Sequence, residues 1–190
     1  VLRFWVRNFK SLRDVSIELR NFNLLVGPNA SGKTNIIQAF KLFLKIFSPV
    51  SRYIDPFLEW WGYRNVVWMG REELPIILGF EVSAGGYRGL YEIHVTGAGG
   101  AFRIVREVIS IHGVVNITRM GNNIVVEHDP DFIDDVWEQI KDMHMPIFGV
   151  DKPAFRRMPD RKHITTQKLT VPIGPTEPLF SSWSAMHRDS

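Results

Sequence analysis

From residue 2 to residue 8, in LRFWVRN, large apolar residues alternate with basic ones around Phe4, Trp5 and Val6. That period predicts a strand. FKSL follows as a turn, and VSIEL (15 to 19) alternates cleanly, predicting a second strand paired with the first. FNLLVG (22 to 27) is a short apolar run ending in glycine, the pattern of a buried strand that feeds a loop. From Gly32 to about Phe47 the pattern changes. Ile36, Ile37, Phe40, Phe43, Leu44 and Phe47 recur at helical spacing, and Pro49 closes the helix.

Residues 50 to 75 are rich in Trp, Tyr and Arg and have no clear period. Between 76 and 128 five short runs read as β structure: PIILGFEVS, GLYEIHVTG, AFRIVREVISIHG, VVNITRMG and NIVVEHD. Gly-Gly, Gly-Ala-Gly-Gly and Gly-Asn-Asn separate several of them as turns. DPDFIDDVWEQIKDM then reads as a helix with Asp129 or Asp131 at its start. Residues 146 to 178 carry six of the eleven prolines and read as an extended connector. EPLFSSWSAM reads as the opening of another helix, and no internal repeat is visible.

With 190 residues and 45% hydrophobic content, the chain has the size and core of one domain or one lobe. A net charge of +3 permits nucleic acid as a partner without demanding it. There is no cysteine, so disulfides and thiolate chemistry are excluded, and an intracellular, reducing setting fits. No apolar run reaches the roughly 18 residues of a membrane span. The chain opens at Val1 inside a strand pattern and ends in SSWSAMHRDS, so we expect it to be part of something longer.

The candidate chemistry lies in Gly27-Pro28-Asn29-Ala30-Ser31-Gly32-Lys33-Thr34, which fits G-x-x-x-x-G-K-[ST] at every fixed position. Gly27 and Gly32 let the backbone turn where a β-carbon would obstruct it. The amides of residues 29 to 34 are expected to form a concave nest for phosphate oxygens. The helix that follows adds free N–H groups and its positive end. Lys33 would reach the β and γ phosphates, and the Thr34 hydroxyl would ligate Mg²⁺.

Two strands before the loop, and Asn35 after it, carry a resemblance. VRNFKSL, VSIEL and FNLLVGPNASGKTNIIQAF together resemble the amino-terminal segment of ABC-type ATPases of the RecF, SMC and OLD kind, and of the AAA-type ATP-binding proteins grouped near them. The close likeness covers residues 1 to 47. A looser one extends to LYEIHV and FRIVREVISI, which resemble the β-rich arm of those proteins. The resemblance implies an α/β P-loop fold, an ABC/SMC-like nucleotide-binding lobe with an antiparallel β arm. It implies ATP with Mg²⁺ as ligand, sandwiched between two such units, either as a homodimer or with a partner lobe. It also implies that Lys10 sits near the phosphates, although an exposed turn lysine fits Lys10 equally well. Asn29, Ser31, Gly32, Lys33, Thr34 and Asn35 match the family loop, and with Gly27 and Ala30 they are the expected nucleotide-binding residues. Work on DNA, in a cytoplasmic setting, belongs to the same implication.

The rest of a hydrolytic site is not legible. We find neither a Leu-Ser-x-Gly signature nor an apolar strand ending in Asp-Glu. Glu127 and Asp129 follow Ile124, Val125 and Val126, but MGNN before them reads as a hairpin turn. Asp151 follows Ile147, Phe148 and Val150 in a loop-like stretch with Gly149. Of the candidate γ-phosphate glutamines, Gln139 falls in a predicted helix, which leaves Gln167. Trp60, Trp61, Tyr63 and Trp68 among Arg64 and Arg71 suit packing or an interface better than stacking on single-stranded bases. Lys152, Arg156, Arg157, Arg161 and Lys162 read as a solvated linker. The six histidines have no ligand spacing, so no metal beyond nucleotide-borne Mg²⁺ is expected.

The reading is one incomplete P-loop lobe in three parts: residues 1–49 with the loop and helix, 50–128 with the aromatic segment and arm, and 129–190 with a helix and connector. It is expected to bind Mg·ATP, with hydrolysis completed from a second lobe. The rivals are a self-contained NTPase or kinase using Asp151, and a non-catalytic ATP-binding module.

Overall fold

The computed structural model describes residues 2–47, 54–84, 86–121, 123–128, 165–170, 176 and 178–179, with backbone alone at 84 and 165–170. The helix expected from Asp129 or Asp131, Gln139, Asp151, the basic stretch 152–162 and most of EPLFSSWSAM lie outside these residues.

Eight strands form one sheet in the order β2-β1-β3-β4-β5-β6-β7-β8, and every neighbouring pair is antiparallel. They are β1 (Leu2–Phe9), β2 (Leu12–Leu19), β3 (Ile76–Ala84), β4 (Tyr87–Thr96), β5 (Arg103–Ile111), β6 (Val115–Met120), β7 (Asn123–His128) and β8 (Thr165–Thr170). The first two of the three strands expected before the loop, and all five expected after it, form where the alternation places them. β8 is a correction, because it lies inside the stretch read as an extended connector.

One long helix, α1 (Lys33–Phe47), crosses the core face. Ala39, Leu42 and Ile46 are buried, and their 3- and 4-residue spacing keeps them on one side of the helix. Phe40 stacks on Phe4 of β1 with centroids 3.9 Å apart, and Phe43 meets Phe80 and Tyr91 edge-on. The main cluster also takes in Val6, Phe9, Ile76, Leu78, Ile93 and Val95. A second, smaller cluster of Ile117, Ile124, Val126 and Leu179 covers the far end of the sheet.

Along β1 and β4 the opposite face of the sheet carries charged side chains. On β1, Arg3 and Arg7 flank Trp5, whose indole Nε1 donates to Glu92 on β4 at 2.9 Å. The indole lies across Gly79 of β3, where a β-carbon would come within 2.3 Å of the ring. Gly79 is therefore a close-approach glycine.

The expected fold class needs correction in one respect. The phosphate loop was expected at the end of a buried strand in an α/β sheet. Residues 22 to 27 form no strand here, and Phe22, Leu24 and Val26 are 82%, 74% and 81% exposed. Among the described residues no strand pairs with them, and the sheet ends at β2. Parallel strands need crossover units of strand, helix and strand, and α1 is the only long helix among the described residues.

Candidate functional site

The β1–β2 turn and the start of α1 build the site. Lys10 and Ser11 close the turn between Phe9 and Leu12, which face each other in register. Lys10 adopts a left-handed backbone (φ 50°), and its amide donates to the Val66 carbonyl at 2.6 Å. That bond fixes the turn against the aromatic segment, where Val66 and Val67 are buried.

Three contacts lay this turn along the first two turns of α1. Leu12 and Ser11 approach Gly32 so closely that a β-carbon there would sit 3.4 Å from Leu12 Cδ2 and 3.3 Å from Ser11 Oγ. Asn35 Nδ2 donates to Ser11 Oγ at 2.8 Å. The Lys10 ammonium donates to the Gln38 side chain. Residues 35 and 38 are three apart, so they share one helix face.

Trp60 packs beside this ladder. Its ring meets Phe9 edge-on at 6.0 Å and lies 5.3 Å from the Lys10 ammonium and 4.9 Å from that of Lys45. Glu59 accepts from Lys41 and Lys45 on α1, which together hold its carboxyl below the usual carboxylate range. Burial lowers the Lys10 ammonium from its ordinary value, against a smaller opposing pull from Glu59. The aromatic segment thus packs around the turn and α1, with Tyr63 buried, while Trp61 is 91% exposed.

In the loop itself, residues 21 to 31 are all exposed. Ala30 takes φ 63° and Gly32 φ 92°, two left-handed turns of backbone within three residues. Such left-handed positions turn successive N–H groups toward a common centre, the geometry of an anion nest. The Ile36 amide donates to the Gly32 carbonyl at 3.1 Å, so helical bonding begins at the glycine. Lys33 curls over the loop. Its ammonium donates to the Gly27 carbonyl at 2.6 Å, to the Pro28 carbonyl, and to Ser31 Oγ at 3.1 Å. These contacts match its three donors and hold the charge at the loop's mouth. Thr34 follows, exposed, on the first turn of α1.

The structure therefore brings Gly27, Ser31, Gly32, Lys33 and Asn35 together, with Asn29, Ala30 and Thr34 exposed on the same short segment. It ties Lys10 to Gln38, one helical turn beyond Thr34. Glu127 belongs to β7, an ordinary hairpin strand, where it faces Asn116 and accepts from its amide at 2.8 Å. Gln167 lies in β8 opposite Val126. Among the described residues, no group of three or more His, Asp or Glu side chains is placed to hold a metal. The loop suits a polyphosphate, and toward Mg²⁺ this segment offers the Thr34 hydroxyl, the oxygen donor that hard cation accepts.

Sequence reasoning missed Ser11 and Gln38 as neighbours of the loop and its helix, because their contacts join residues far apart along the chain, whereas Trp60 packs against α1 and β1 as its segment was expected to. It also missed a buried polar group on the core face of the arm. Glu107 and Arg119 face each other in register, fully buried, with Nη1 and Oε2 3.6 Å apart. Glu107 also accepts from the Tyr91 hydroxyl at 2.7 Å and from the Leu179 amide at 2.9 Å. Burial pushes the Glu107 carboxyl above its ordinary value despite these donors. Burial and the Glu107 charge push the Tyr91 hydroxyl well above its own.

A family model described as an AAA ATPase domain matches residues 3–132, from β1 past β7 and including the loop and α1. No curated protein and no solved structure matches the chain.

Proposed function

The chain belongs to the AAA ATPase domain family, and on that premise we propose that it is the nucleotide-binding lobe of an ABC-type ATPase of the RecF/SMC/OLD-like group. Residues 27 to 35 bind the triphosphate of ATP. The loop amides and the start of α1 receive the phosphate oxygens. Lys33 exchanges the carbonyls of Gly27 and Pro28 for phosphate oxygens, a stronger, charge-assisted pairing. Thr34 supplies an oxygen to Mg²⁺, which when bound neutralises phosphate charge. A second lobe, a partner chain or a second copy supplies the carboxylate that positions water, closing an ATP sandwich. The same reading places the work on DNA, in the cytoplasm. Among the described residues no helix is long and apolar enough to cross a membrane.

One observation carries the incomplete-site reading. The segment leading into the loop is apolar but lies open, with Phe22 82%, Leu24 74% and Val26 81% exposed. Covering each such side chain stabilises by roughly 1.5–3 kcal/mol, so the three together favour a partner by about 5 kcal/mol or more. A strand laid beside them would complete the sheet that a phosphate loop normally ends.

The test is phosphate release and ATP binding by the chain alone, beside Lys33→Ala. We expect binding that falls at least tenfold in Lys33→Ala, with no turnover until the second lobe is added. Turnover by the chain alone that Lys33→Ala abolishes would place the acid within these 190 residues and support the self-contained NTPase. Binding that no partner converts to turnover would support a non-catalytic module. Equal affinity in Lys33→Ala would remove the phosphate-loop assignment itself.

A further inference from the structure

We propose that Ser11 is a positioning residue for the phosphate loop, acting through Asn35; this rests on the loop binding nucleotide as proposed above. Ser11 is exposed in the β1–β2 turn, 16 positions before the loop's first glycine (27 − 11). Its hydroxyl accepts from Asn35 Nδ2 at 2.8 Å. Asn35 stands one residue after Thr34, in the first turn of α1. The same Ser11 oxygen lies 3.3 Å from the place of a β-carbon on Gly32. One hydroxyl therefore bonds Asn35 and lies close beside Gly32, the two ends of the segment proposed above to receive the phosphates.

The rest of the turn makes this contact a fixed stop. The Lys10 amide is anchored on the Val66 carbonyl at 2.6 Å, and Phe9 and Leu12 are buried on either side of the turn. Ser11 is thus held by the sheet, while residues 27 to 31 are exposed and lack such backing. A hydrogen bond from a fixed turn to the third residue of α1 sets how the helix begins. The first N–H groups of a helix have no partner within it, and their direction decides how well they meet an anion. Ser11 also keeps capacity to donate, since a hydroxyl accepts and donates at once, so accepting from Asn35 leaves its proton available.

The predicted effect is on binding, not on folding. Ser11 is exposed, and surface substitutions of this kind leave stability within about 0.5 kcal/mol. Loss of one neutral hydrogen bond corresponds to roughly a 3- to 10-fold change in an equilibrium it supports. We expect Ser11→Ala to bind Mg·ATP about 3- to 10-fold more weakly, and inorganic tripolyphosphate more weakly by the same factor, at unchanged thermal stability. Asn35→Ala should show the same loss, and the double variant no further loss, because both remove one interaction. Ser11→Thr, which keeps the hydroxyl, should recover wild-type affinity.

The experiment is calorimetric titration of Mg·ATP and of tripolyphosphate into the full chain, Ser11→Ala, Ser11→Thr, Asn35→Ala, the double variant and Lys33→Ala. Unchanged affinity in Ser11→Ala, or losses that add in the double variant, overturns the positioning role while the Lys33→Ala loss keeps the nucleotide reading intact. A loss for ATP without one for tripolyphosphate also overturns it, since the contact would then act on the nucleoside. If Lys33→Ala binds as the wild type does, the loop reading fails first and this inference falls with it.

Discussion

Substituting Gly79 by alanine tests how the sheet is packed on the face opposite the core. A β-carbon at Gly79 would lie 2.3 Å from Trp5 Cζ2, 2.4 Å from Cε2 and 2.8 Å from Nε1. Carbon atoms do not approach so closely, and the obstacle is the body of a rigid ring, so the indole must swing away. Swinging it breaks the Nε1–Glu92 hydrogen bond of 2.9 Å, and Glu92 then keeps only His94 and Arg106 as side-chain donors. Overpacking of this size costs about 1–3 kcal/mol. Loss of a hydrogen bond to a carboxylate adds about 1 kcal/mol at a half-buried site, below the usual range for charged partners. Against these, alanine narrows the unfolded ensemble by about 0.4–1 kcal/mol. The net expectation is a loss of about 2–3 kcal/mol, read by urea unfolding followed by far-ultraviolet circular dichroism at constant slope. Trp5→Leu removes all three clashing atoms. The double variant should therefore be more stable than the sum of the single losses predicts, with a coupling of at least about 1 kcal/mol. A Gly79→Ala loss under about 0.5 kcal/mol, or strictly additive single losses, would refute the packing argument.

Two further outcomes follow from groups outside the loop. Glu107 keeps its proton to a higher pH in the folded chain than in the unfolded one. Its contribution to stability therefore declines as pH rises from the ordinary carboxylate value of 4.5 to its raised folded value, and is constant above that. Glu107→Gln should remove that decline from the stability–pH profile measured by thermal unfolding, and superimposable profiles would contradict the burial argument. Phe22→Ser with Val26→Ser should change the stability of the chain alone by under about 0.5 kcal/mol while weakening assembly with a second lobe; a loss above about 2 kcal/mol would mean that these side chains are already packed.

Much of the arm was legible because its signal is local. Alternation in GLYEIHVTG and VVNITRMG, with glycine turns between the strands, reports a half-buried antiparallel strand without reference to any distant residue. The loop was legible for a different reason: its glycines, lysine and threonine are each tied to one job at a fixed spacing. What stayed hidden depends on pairings across long separations. β8 in TTQKLT has little apolar content and proline-rich flanks, and it is a strand because β7 offers it an edge. Glu107 reads as one more solvent-facing charge in FRIVREVISI. Only the register that sets it opposite Arg119, with Tyr91 alongside, makes burial of that carboxyl tolerable.

The run FNLLVG is the instructive disagreement. Its composition reads as a buried strand, yet Phe22, Leu24 and Val26 lie open. Ile37 and Leu44, seven residues apart on one side of α1, are also 62% and 70% exposed. Apolar content is a property of the chain and burial a property of the assembly, so a sequence can be apolar where a covering surface comes from elsewhere. Apart from the buried Glu107 and Arg119, local pattern and observed environment agree along β1 to β7, and they part company on both sides of the phosphate loop. Disagreement between levels is expected at functional positions, and here it falls on the segments that lead into and out of the nucleotide-binding residues. Ile37 and Leu44 put apolar surface on the open side of α1, a helix whose other face is fixed in the core by Ala39, Leu42 and Ile46. A lobe that covered that surface would touch the same helix whose first turn receives the phosphates, so nucleotide binding and lobe docking would act on one rigid element.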